Sequence, residues 1–147
     1  MKMNILGVGC AAHLIRNALQ TSADIPPVDV ESIINKIFQH FHIFTVRVEE
    51  LKTFCNFVEV EYKPVLGSVK TRWPSLLPAL ERTTEMFDGL KSYFLSQEKS
   101  PRILKDFFND PQSILYLRFI HSQIKLCTNT IKKLKKKIFM VAKWQKN

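Results

Sequence analysis

Cys10 and His13 stand three residues apart in the stretch LGVGCAAHLIRN, Leu6–Asn17. A thiolate and an imidazole at that spacing can share a helix face and ligate zinc, but a zinc site needs three or four ligands. The other candidates, His40, His42, Cys55, His121 and Cys127, show no ligand spacing. The packed start of a helix is the better account of the pair, and no metal or other cofactor is expected. Arg72 and Trp73, with Lys70 before them, form a second constellation. An indole beside cations can stack on a base while the cations hold phosphate. Alternatively, Trp73 plugs a core where the next helix begins. A third group is Lys132, Lys133, Lys135, Lys136, Lys137 and Lys143 near the C-terminus. Such a run suits a polyanion partner, or is a solvated helix face.

Other chemistries find no support. No G-x-S-x-G, Walker A loop or G-x-G-x-x-G is present, so hydrolase and nucleotide-binding readings lack their motifs. Glu49-Glu50 and Glu59/Glu61 are acidic pairs on an otherwise charged face, where solvated charge is the expected role. The chain is not expected to be an enzyme. No run of about 18 apolar residues occurs, so no membrane span or membrane partner is expected.

The positioning elements follow from length and charge. The 147 residues suit one domain, and 46% hydrophobic residues with 11 Phe can fill a core. The net charge of +9 is unevenly spread. Residues 111–147 carry Arg118, eight Lys and no acid, so the rest of the chain is neutral. Three widely spaced cysteines without a C-x-x-C fit a reducing compartment. Lys2 and the apolar Ile5–Ile15 resemble a secretory leader, but His13 and Arg16 interrupt that pattern.

Periodicity predicts a short strand or extended entry over residues 4–9 and a helix over 10–21, broken at SADIPP. Asp29 is a plausible N-cap for a helix whose apolar face is Val30, Ile33, Ile34, Ile37, Phe38 and Phe41. A third helix is expected over Val46–Tyr62. Residues 63–73 suit an extended or hairpin segment. A long helix then runs from about Ser75 to Ser96, with Leu76, Leu80, Phe87, Leu90 and Phe94 inward. A short helix over Ile103–Phe108 ends at Asn109-Asp110-Pro111. In the last helix Leu117, Ile120, Ile124, Cys127, Ile131, Leu134, Ile138 and Val141 alternate spacings of three and four. That is an a/d seam over about three heptads, and the Lys run lies off it.

Taken together, GCAAHLIRNAL, then Arg47, Leu51 and Phe54 in an R-x-x-x-L-x-x-F helix, then KTRWPSLLPALER and LKSYF resemble the hAT-superfamily transposases and their domesticated, transposon-derived relatives. The likeness covers roughly residues 5–125. It implies a mainly α fold: part of a ribonuclease H-like core plus its all-helical insertion, with at most one or two short strands. Residues 1–73 would be core segment and start of the insertion, 74–111 the insertion, and 112–147 a long basic C-terminal helix. The family's C-x-x-H maps onto Cys10 and His13, and its R-W, implicated in handling flanking DNA, onto Arg72 and Trp73. The likeness also implies that LGVGCAAH is core interior, its upstream part lost.

The family holds divalent metal with two aspartates and a glutamate. The aspartates would lie before Cys10, where this chain has none, and the C-terminal segment departs from the family pattern. The expectation is therefore a truncated, catalytically incomplete fragment that binds DNA or other nucleic acid without sequence preference, in the nucleus or otherwise the cytoplasm. Its candidate binding residues are His13, Arg72, Trp73, Lys132, Lys133, Lys135, Lys136 and Lys137. The rivals are a helical protein-interaction module using the 117–141 seam, and a remnant with no selected function.

Overall fold

Apolar residues at helical spacing carry the architecture. The computed structural model describes residues 9–69 and 73–144. Among them are seven helices and no strand: α1 (Gly9–Ala23), α2 (Val30–Phe41), α3 (Thr45–Phe57), α4 (Trp73–Glu85), α5 (Phe87–Ser96), α6 (Arg102–Asn109) and α7 (Ser113–Trp144). The chain is mainly helical, as its periodicity implies.

α2 lies at the centre. The Asp29 carboxylate accepts from the Ser32 amide at 3.0 Å, satisfying one of the free N–H groups at the helix start. Val30, Ile33, Ile34, Ile37 and Phe41 are buried, and α2 touches α3, α4, α6 and α7. Phe38 is only half-buried and packs where Gly67 passes; a Cβ at Gly67 would lie 2.8 Å from its ring.

The third helix ends earlier than its periodicity predicts. It stops at Phe57 instead of running on to Tyr62 because Glu59 takes a left-handed φ of 58°. The Val60 amide donates to the Cys55 carbonyl at 2.9 Å, and the Glu59 amide to the Asn56 carbonyl at 3.2 Å. That bond pair is the Schellman C-cap, which usually places glycine at the left-handed residue.

The expected Ser75–Ser96 helix divides at Met86, whose φ of −96° and ψ of 13° leave the helical range. The kink gives the two halves different partners: α4 packs on α7, and α5 on α3 and α6. Gly89 permits the α3 contact, since a Cβ there would meet the Cys55 Sγ at 2.5 Å. The inward residues Leu76, Leu80, Phe87, Leu90 and Phe94 are all buried as their spacing predicts.

Residues 60–69 form neither helix nor strand. Side chains hold them instead. The Ser68 amide donates to Asn35 Oδ1 at 2.9 Å, Arg82 donates to the Pro64 carbonyl at 2.9 Å, and Lys63 pairs with Glu85 at 2.9 Å. Of the expected N-terminal extended segment, Gly9 opens α1 and residues 4–8 lie outside the described residues, as do Lys70 and Arg72.

A non-glycine residue in the left-handed region costs about 1 kcal/mol, partly offset by glycine's greater freedom in the unfolded chain. Glu59→Gly should therefore raise the urea midpoint, by the equivalent of about 0.5 kcal/mol. Glu59→Val should lower it. A Glu59→Gly protein less stable than its parent would contradict this cap assignment.

Candidate functional site

α7 is 32 residues long, and only its first half is enclosed. Ser113 at its start is buried, and its hydroxyl donates to the Phe107 carbonyl, tying α7 to α6. Leu117, Ile120 and Ile124 are buried in the common core. His121 Nε2 lies 3.0 Å from Glu81 Oε1 on α4. Further along, Cys127, Ile131 and Leu134 are half-buried. From there the helix stands free: Ile138 is 45% exposed, Phe139 72%, Val141 59% and Trp144 87%. The continuous seam predicted over 117–141 is thus core at one end and open at the other.

All six lysines between 132 and 143 are exposed. None pairs with an acidic residue among the described residues, and residues 111–147 contain no acid. At 3.6 residues per turn they occupy an arc of roughly 200°, and the seam takes about 100° of the remainder. His13 is exposed on α1, which packs along α7.

Trp73 stands elsewhere. It is the first residue of α4, half-buried and packed against the core. It borders a cleft of about 330 Å³ whose wall includes Leu76 and Ile120, with Asp24, Asp29 and Glu31 around them. Three carboxylates make that cleft a poor seat for phosphate. The arrangement is that of an aromatic plug at a helix start. Arg72, its expected partner, lies outside the described residues, and so does the side chain of Cys10.

A polar cluster that spacing does not announce joins α2 to α5. His40 Nε2 and the Tyr93 hydroxyl lie 3.1 Å apart, although the residues are 53 positions apart in sequence. Arg47 donates to the His40 carbonyl at 3.0 Å and covers the Phe44 ring at 3.9 Å. Burial, assisted by the Arg47 charge, lowers the His40 pKa to about 4. Burial and the nearby Glu50 carboxylate push the Tyr93 phenol up. At neutral pH this is a neutral imidazole bonded to a neutral phenol, which ties helices together and is not poised to move protons. It forms the wall of a cavity of about 390 Å³ that also borders Glu50, Lys99 and Ser100. Burial likewise raises the Cys55 and Cys127 thiols, which disfavours the reactive thiolate.

Among the described residues, no group of three or more His, Cys, Asp or Glu is placed to hold a metal ion. No helix there is long and apolar enough to cross a membrane. No family model, no curated protein and no solved structure matches the chain.

The His40 environment sets an acid response. An unfolded histidine binds its proton near pH 6.5, whereas folded His40 does so only near pH 4. Between those values the unfolded state holds more protons, so stability falls as the pH drops from 6.5 to 4 and is recovered above that window. Urea midpoints across pH 4–7 should fall less steeply for His40→Gln than for the parent. Equal slopes would show that His40 titrates normally in the folded protein.

Proposed function

We propose that this chain is a hAT transposase-like, transposon-derived helical fragment that binds nucleic acid without sequence preference and performs no catalysis. The exposed end of α7 is the binding element, and the nucleus is its place of action. One observation carries this reading: six lysines with no acidic partner among the described residues project from a helix whose other end is fixed in the core. With the remainder of the chain neutral, that band dominates the long-range field and favours a polyanion. The helical interaction module is disfavoured by the burial of Leu117, Ile120 and Ile124, which leaves a partner helix no access to that half of the seam.

Each lysine that neutralises a duplex phosphate releases counterions, so log affinity should fall with log salt at about −0.9 per contact. Replacing Lys132, Lys133, Lys135, Lys136 and Lys137 with Gln should flatten that slope by several units. The circular-dichroism spectrum and melting temperature should change little, because those side chains are exposed. A quintuple variant that binds DNA as tightly as the parent across the salt series would reduce the band to a solvated face.

A further inference from the structure

Lysines alone do not account for the end of α7, because large aromatic side chains stand among them. Phe139 is 72% exposed. It has Lys135 and Lys143 one helical turn away on either side, and Lys136 three residues before it. Trp144, at 87% exposure, comes directly after Lys143. By helical geometry both rings fall within the arc of the lysines, not on the seam opposite them. Exposing two such rings in water is unfavourable unless something covers them.

The position of the rings restricts what can do so. A second copy of α7 laid on this face would bring lysine against lysine with no acid on either helix. A lipid surface prefers helices whose apolar and cationic residues occupy opposite faces; Ile138 and Val141 do lie opposite the lysines, but Phe139 and Trp144 stand among them, where a flat lipid surface seated on the seam would leave them uncovered. A nucleic acid offers phosphate and aromatic base along the same track. The rings lie five residues apart, about 7.5 Å along the axis and roughly 140° around it. A stiff duplex meets one side of such a helix and keeps its bases stacked inside. A single strand bends around it and presents unpaired bases together with its phosphates.

Resting on the nucleic-acid reading above, we propose that the end of α7 is a single-strand binding surface. Phe139 and Trp144 stack on unpaired bases, and Lys132, Lys135, Lys136 and Lys143 hold the neighbouring phosphates. Trp73, half-buried beside carboxylates, takes no part.

Fluorescence anisotropy with a labelled twelve-residue oligo(dT), and with a duplex of equal length, tests this on the full chain. The parent should bind the single strand about tenfold more tightly at equal salt. Phe139→Ala/Trp144→Ala should lose about tenfold or more on oligo(dT). It should stay within about twofold on the duplex and keep the parent's salt slope. Phe139→Trp should bind oligo(dT) at least as well as the parent. Two results would overturn the inference and leave the nucleic-acid reading standing: equal affinity of the parent for both forms, or a double alanine variant that matches the parent on oligo(dT). Binding to neither form would overturn both. So would binding only to vesicles of phosphatidylcholine with 30% phosphatidylserine, which would assign the surface to lipid.

Discussion

Burial of Leu117, Ile120 and Ile124 is the constraint on which the other features depend. Those three side chains enter the core that α2 and α4 share. They fix the direction of a helix that then continues without interruption to Trp144. Without that anchor the lysines beyond would be a floating charged tail. With it they stand on a continuous helix, their side chains already set at helical spacing. Preorganisation of this kind lowers the ordering cost of binding.

The core itself rests on local compromises. Met86 interrupts what would be one long helix, so that α4 can lie on α7 while α5 lies on α3. Gly89 lets the α5 backbone approach Cys55 closely. Glu59 takes a conformation better suited to glycine, turning the chain into the irregular stretch that runs past Phe38. Each feature trades local backbone preference for burial elsewhere, and the buried set of Tyr93, Phe94 and Phe108 is the return.

Much of this was legible in the sequence. The apolar periodicities mark each helical segment among the described residues, although they merge α4 and α5 into one, and Asp29 caps α2 as its type and place suggest. What escaped had physical reasons. Glu59 carries no residue-type signal for a left-handed turn, so the end of α3 was set too late. The Met86 kink serves tertiary contacts that periodicity does not contain. The His40–Tyr93 bond spans 53 residues and exists only once α2 meets α5. For the candidate site, the lysine band was plain from composition, but its meaning was not. The seam looked continuous from 117 to 141, and only packing shows that its two ends differ. Trp73 stands out through its cationic neighbours in sequence, whereas in space it packs against the core at a cleft that Asp24, Asp29 and Glu31 also line. Phe139 and Trp144 belong to neither the seam nor the lysine run, so neither pattern singles them out.

On the proposed reading, one end of one helix meets the nucleic acid and the rest of the molecule holds it. Hydrogen exchange of the full chain with and without oligo(dT) tests that directly. Added strand should increase amide protection over residues 131–144 and leave α2, α4 and the surroundings of Trp73 unchanged. Protection that instead gathers at the Trp73 cleft, or spreads evenly over the fold, would contradict it.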